Sequence, residues 1–303
     1  MQYKMRYTTF FKFAAPLLLV AIAMPSAVAQ TEGKDYEVDF DWAQVPGGVW
    51  DGSTSWITAD GRGNIVVLVR KAPYFRMFKR DGSFVKAWGM EPEIGSAHSV
   101  TIDQNNNYWV TDSVNHQVLK FDADGKLLMT LGTKGKAGDI NSHDLFNQPN
   151  HVAIAPNGDI YVSDGYVNWR IVQFTPEGKF VRMIGGEKGS EPGQLQLPHG
   201  VALDSKGRIL VNDSDNARVS VFDKDGKFVE TWPYPSRGGI VVAADDTVYV
   251  SDVNEGVINV SKNGKHIATY HAPRAHGLGV DTDGTIYVSG ASRMTVMKID
   301  EKK

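Results

Sequence analysis

Between Leu197 and Lys227 the chain reads LPHGVALDSKGRILVNDSDNARVSVFDKDGK, and its apolar positions fall into four short clusters. Val201 to Leu203 and Ile209 to Val211 are compact apolar runs on either side of a turn at Asp204 to Gly207. A polar loop, Asn212 to Ala217, leads into Arg218 to Phe222, where apolar and polar residues alternate. The Asp225-Gly226 turn then opens a fourth run, Phe228 to Trp232. Short runs bounded by tight turns predict four antiparallel strands in one small sheet.

A sheet of that size cannot bury its own faces, so copies of it must stack. The layout recurs. The later turn is found again at Asp81-Gly82, Asp124-Gly125, Glu177-Gly178 and Asn263-Gly264, and the earlier one near Gly61, Asn106, Gly158, Asp246 and Gly284. That is about six units at a spacing of roughly 40 to 50 residues, the period of four-stranded propeller blades. No sustained apolar pattern of helical period interrupts them. The predicted fold class is all-β, a six-bladed β-propeller.

The ends of the pattern predict how the ring closes. Residues 36–46 (YEVDFDWAQVP) read as a strand with no blade of its own, and the last repeat, Val280 to Ile299, stops at its third strand. Pairing one with the other removes an open sheet edge; the simpler alternative is a disordered N-terminal segment. Thr133 to Asn147 is the longest insertion. It reads as a solvated loop, with a rim or lid segment as the alternative.

Ahead of the repeats, Met1 to Ala29 carries Lys4, Arg6 and Lys12, an apolar core from Ala14 to Met24, and Ala27-Val28-Ala29. This is the layout of a signal peptide. The expected domains are a leader over residues 1–29 and a propeller over residues 30–303, exported to a periplasm or beyond. A retained membrane anchor is the competing reading, against which the short apolar core counts. There is no cysteine, so neither disulfides nor a lipid-modified cysteine can contribute. Loss of the leader removes three basic residues and no acidic one, taking the net charge of -3 to about -6. No nucleic-acid partner and no membrane association after cleavage are expected on that balance, and the mature chain is expected to be a monomer.

Chemistry emerges when the repeats are aligned on the turn after the first strand. The residue just before that strand is then Ser55, His98, Asn150, His199, Gly238 or His276. His98, His199 and His276 thus occupy alternate repeats, each five residues ahead of an aspartate: Asp103, Asp204 and Asp281. First strands line a propeller channel, and alternate blades of six are related by about a third of a turn, so three imidazoles should converge on the axis. Three neutral imidazoles with an open fourth position form a catalytic zinc arrangement; the alternative is that they are ordinary polar channel residues. His116, His143, His151, His266 and His271 lie out of register and read as structural. The loop after the second strand opens at the same mouth. It presents Tyr166 in the third repeat (Asp164-Gly165-Tyr166-Val167-Asn168) and Arg70 in the first (Val69-Arg70-Lys71).

The repeats resemble NHL repeats. The set RKAPYFRMFKRDGSFVKAWG, HSVTIDQNNNYWVTDSVNHQVLKFD, FNQPNHVAIAPNGDIYVSDGYVNWRIVQF and LPHGVALDSKGRILVNDSDNARVSVFD is similar to the peptidylglycine alpha-hydroxyglycine alpha-amidating lyases and their bacterial relatives. That resemblance implies zinc held by His98, His199 and His276, with Arg70 and Tyr166 serving catalysis beside it. It implies a small peptide-like substrate, a peptidyl alpha-hydroxyglycine cleaved to a peptide amide and glyoxylate. Tyr166 would be the base, and Arg70 would either favour its phenolate or clamp the substrate carboxylate. Where the animal enzymes have an aspartate that helps bind a structural calcium (Ca2+), this chain has Gly277, which puts that ion in doubt. NHL character is also shared by propellers that only bind, so a non-catalytic protein gripping a peptide, glycan or protein partner is the alternative function.

Overall fold

The computed structural model describes residues 4–7, 36–234, 236–290 and 295–301. The expected leader, residues 1–29, lies outside them except for Lys4–Tyr7. Six antiparallel sheets stand in a ring, five of four strands and one of five. Their innermost strands are Thr54–Ala59, Ala97–Ile102, His151–Ile154, Pro198–Leu203, Ile240–Val242 and Ala275–Val280, here taken as blades 1 to 6 in that order.

Within a blade, burial follows position. Second strands such as Ile209–Asp213 are buried at every residue, because both faces meet neighbouring blades. Outer strands such as Phe180–Gly185 alternate, one face packed and one wet. Large aromatics fill the wedges between blades. Phe75 and Trp88 of blade 1 stack with centroids 5.1 Å apart, and both rings pack on Tyr108 of blade 2.

The ring closes as the chain pattern implies, through a shorter strand. Tyr36–Asp39 pairs antiparallel with Val296–Glu301, Val38 lying opposite Ile299. Lys4–Tyr7 pairs in turn with Tyr36–Asp39. The expected strand does not run on to residue 46, because at Asp41 the backbone bends back onto the Asp39 carboxylate. Trp42 then leaves the sheet. Its ring packs on Phe78 of blade 1 and Tyr287 of blade 6, and its indole N–H donates to Arg80 O at 2.7 Å. One tryptophan thus sews the last blade to the first.

At one end of the ring, aspartates close the first hairpin of several blades. Asp103 Oδ1 accepts the backbone N–H of Asn105 and Asn107, and Asp204 Oδ1 those of Lys206 and Arg208. These are the aspartates spaced five residues from His98 and His199. They build turns, and the strand carries the histidines to the opposite end.

The segment Thr133 to Asn147 is exposed along most of its length, as a solvated loop should be, but it is also anchored. Arg170 donates to the carbonyls of Ile140, Ser142 and Leu145 at 2.7 to 2.9 Å, Asn168 Nδ2 donates to Gly138 O, and Phe146 is buried. The segment is a fixed rim. A buried guanidinium needs acceptors, and the loop carbonyls supply them. Arg218 does the same in blade 4, donating to Ser190 O and Gln194 O.

Candidate metal centre

The three histidines are not just ahead of the first strands, as the alignment placed them, but are the second residue of each. Each sits on a β-bulge. In blade 2 Ala97 pairs with Asp112 and Ser99 with Thr111, which leaves His98 as the extra residue. His199 is skipped in the same way between Pro198 and Gly200, and His276 between Ala275 and Gly277. A bulge re-aims the side chain it carries. Here it turns three imidazoles out of the sheets and onto the axis, with ring centroids 5.0, 5.1 and 5.2 Å apart.

Their second nitrogens are fixed. His98 Nδ1–H donates to Asn150 O at 2.7 Å, His199 Nδ1–H to Gly238 O at 2.9 Å, and His276 Nδ1–H to Ser55 O at 3.0 Å. Every acceptor comes from the next blade, at the same register position. A carbonyl can only accept, so each Nδ1 carries the hydrogen and each Nε2 keeps its lone pair. One ligand atom from each ring lies within 4.8 Å of the others. Burial holds His98 and His199 well below the usual imidazole range, aided by the neighbouring imidazoles, and brings His276 down to about 4. Three neutral imidazoles sharing one tautomer, with lone pairs facing a common point, fit a metal ion.

Tyr166 closes over this trio. Its phenolic oxygen is 2.9 Å from His98 Nε2 and 3.4 Å from His199 Nε2. Burial pushes the phenol above its ordinary value, and the positive charge of Arg70 opposes that rise. Arg70 follows the strand Asn64–Val69 and donates from Nη1 to Ser96 Oγ at 2.6 Å. Its Nε is buried without a partner, and among the described residues no carboxylate pairs with it. All five residues singled out in the chain therefore meet at one mouth.

His151 belongs elsewhere. Its ring stacks on Trp56 at 4.9 Å, and its Nδ1 meets the backbone of Val201. Trp56 itself is absent from the residues expected to matter. Buried across the channel, it lies 5.4 to 6.3 Å from the rings of all three site histidines and forms the floor beneath them. A signal for it exists in the alignment. One place after the histidine register stand Trp56, Ser99, His151, Gly200, Gly239 and Gly277, a single large aromatic among mostly small residues. An ideal Cβ on Gly239 would come 3.2 Å from the Trp56 ring, so the glycine makes room for it. The calcium of the resemblance does not fit at Gly277. That residue offers no carboxylate, and a Cβ there would meet Trp56 Cα at 2.6 Å.

Residues 95–121, 146–174 and 195–222 match the family model of the NHL repeat. The chain is an NHL-repeat propeller. Among curated proteins it is 32% identical over 216 residues to human NHL repeat-containing protein 3, covering 67% of this chain and 61% of that one. It is 42% identical over 154 residues to rat peptidylglycine alpha-amidating monooxygenase, covering 48% of this chain and 16% of the relative. It is 40% identical over 128 residues to a probable peptidyl-alpha-hydroxyglycine alpha-amidating lyase of Caenorhabditis elegans, covering 41% and 36%. The NHL propeller thus spans less than two thirds of each of these relatives. Solved structures share its fold. A virginiamycin B lyase of Staphylococcus aureus superposes with a TM-score of 0.60 at 16% identity, covering 87% of this chain and 99% of that one. A gluconolactonase of Xanthomonas campestris gives 0.63 at 13% identity, covering 93% and 99%.

Proposed function

We propose that this chain is an exported, zinc-dependent lyase that cleaves a peptidyl alpha-hydroxyglycine, or a closely related carbinolamide, to a peptide amide and glyoxylate. The observation that carries the reading is the phenolic oxygen of Tyr166 set against two of three converging imidazole nitrogens, with Arg70 beside it, its Nε without a partner. Relatives named as alpha-hydroxyglycine alpha-amidating lyases support it. Bound zinc would act as a Lewis acid on the substrate hydroxyl oxygen.

The chain's own residues account for the proton. Cleavage removes the hydroxyl hydrogen, forms the C=O bond of glyoxylate, breaks the C–N bond and returns a hydrogen to the amide nitrogen. One base can do both transfers, because the proton taken is the proton given back. Tyr166 serves as phenolate, accepting from the hydroxyl and then donating to the departing nitrogen. Burial works against the phenolate, and the Arg70 charge works for it. Arg70 has a second use. With Nη1 on Ser96 and Nε free, its other edge offers a two-pronged fork to the carboxylate of the substrate's terminal glycine.

The test is to purify the protein, measure bound zinc and assay glyoxylate release from a short peptidyl alpha-hydroxyglycine. The second reading, a propeller that grips a peptide, glycan or protein without turnover, draws on the likeness to NHL repeat-containing protein 3, which extends over more of this chain than the lyase matches do. Zinc-loaded wild-type protein that releases no glyoxylate would favour that reading.

A further inference from the structure

The carbonyls that receive the three Nδ1–H groups belong to Ser55, Asn150 and Gly238, one per alternate blade. They share a backbone duty, but their side chains differ. Gly238 has none, and a Cβ there would meet His276 O at 2.9 Å. Ser55 uses its hydroxyl on His98 O at 2.7 Å. Asn150 alone brings a carboxamide, and it is fully buried.

That carboxamide is half used. Oδ1 accepts the N–H of Gly165 at 2.9 Å, one residue before Tyr166. The fit is close, since a Cβ on Gly165 would stand 2.8 Å from the same oxygen. Nδ2 is buried and has no hydrogen-bond partner. A buried amide donor left unpaired is costly, and it is tolerated where a functional group or ligand completes it. The neighbouring group is the Tyr166 phenol, whose ionised form the Asn150 side chain favours.

We propose that Asn150 is the positioning residue of this site: Oδ1 fixes the Gly165-Tyr166 corner, and the free Nδ2–H holds the phenolic oxygen facing the point where the three Nε2 atoms converge. The inference rests on the reading of Tyr166 as the working acid-base group. Its physical sense lies in what His98 can offer. In the structure His98 Nε2 accepts the phenolic hydrogen. Once that lone pair is committed to the axis the phenol loses this partner, and a donor from Asn150 keeps the oxygen facing the substrate, as phenolate when it accepts the proton and as phenol when it returns it.

Asn150→Asp separates the two roles, because it keeps an acceptor for Gly165 N–H and the side-chain volume while removing the donor. Protein labelled with 3-fluorotyrosine supplies a readout independent of turnover, with the resonance of residue 166 assigned by Tyr166→Phe. At pH 6, where phenols are neutral, Asn150→Asp should shift that resonance more than any other fluorotyrosine signal while zinc content stays at the wild-type level; Tm should fall, since a carboxyl replaces an amide at a fully buried position. It should lower kcat roughly tenfold or more with KM little changed, the loss of one buried hydrogen bond made in the transition state. Asn150→Ala should also broaden the resonance by releasing the corner, and it carries the same readouts should the aspartate variant not fold. An unmoved resonance for residue 166 would overturn the proposal, as would a kcat equal to wild type. If wild-type protein releases no glyoxylate, the lyase reading fails and the fluorine signal alone decides the placement of Asn150.

Discussion

Tyr166 hands its phenolic hydrogen to Nε2 of His98 across 2.9 Å. The direction is forced by Asn150 O, which accepts the hydrogen on Nδ1 of the same ring and leaves Nε2 as an acceptor. The phenol is held against a candidate metal ligand, and the tyrosine is 38% exposed, so it stands between solvent and the three imidazoles.

Tyr166→Phe therefore removes the one ionisable oxygen and keeps the ring. Zinc content and Tm should stay close to wild type, while kcat should fall ~100-fold to 10,000-fold, the usual contribution of general acid-base catalysis. Glyoxylate release measured beside zinc analysis checks this. Full turnover in the variant would remove Tyr166 from the mechanism and leave the zinc proposal standing.

The two uses of Arg70 give different kinetics. A carboxylate clamp lost in Arg70→Ala raises KM, whereas loss of a charge that favours the phenolate lowers kcat and moves the pH profile upward. The unpaired Nε and the absence of a carboxylate partner favour a large rise in KM, about tenfold to a hundredfold for one charge-assisted contact. Arg70→Lys should recover little, since an ammonium lacks the fork. A KM unchanged in both variants would discard the clamp.

Most of this architecture was legible in the chain because its signals are periodic. Six recurrences of one turn fixed the blade count, and alternate histidines at one register fixed the triad. What stayed hidden depends on individual side-chain contacts, some local and some across blades. The turn at Asp41 that ends the closing strand rests on a local side-chain bond, and the course of Thr133 to Asn147 is set by Arg170 from the next blade. Trp56 was missed for another reason. A tryptophan in an apolar strand is ordinary, and it becomes the channel floor only because Gly239 and its neighbours leave the axis empty.

His151 should make the metal-free protein acid-sensitive. Burial depresses its pKa to about 4, against about 6.5 for a free imidazole. The unfolded chain binds the proton first, so stability is full above about pH 6.5, is lost as pH falls through the window to about 4, and is level below it. The shift corresponds to at most about 3 kcal/mol. His276, depressed to the same value, adds a loss of the same sign. His151→Asn should lower Tm at pH 7.5 through the lost stacking on Trp56, retain zinc, and show a shallower fall in Tm between pH 7 and pH 5 than wild type. Equal slopes in the two metal-stripped proteins would show that His151 does not titrate in this range.

Arg170 and Asp164 form a buried ion pair, with side chains 1% and 0% exposed and Nη2 2.9 Å from Oδ2. Burial raises the Asp164 carboxyl, and Arg170 opposes the rise. Arg170→Leu would strand that carboxylate and free the carbonyls of Ile140, Ser142 and Leu145 together. Removing one partner of a buried pair typically costs about 3 to 5 kcal/mol. Without its cation Asp164 should take up a proton more readily, its pKa climbing further above the unfolded value. Stability is then present while the group is protonated and lost as pH rises through that pKa, so the deficit against wild type should be larger at pH 8 than at pH 5. Denaturant melts of both proteins at the two pH values measure this. Trypsin cleavage at Lys134 and Lys136 should also appear in the variant, because the carbonyls of Ile140, Ser142 and Leu145 would lose the donor that holds them. Asp164→Asn added to Arg170→Leu should restore part of the stability at pH 8 and leave the rim cleavable. A double variant no more stable than the single one would mean that the loop contacts, and not the stranded charge, account for the loss.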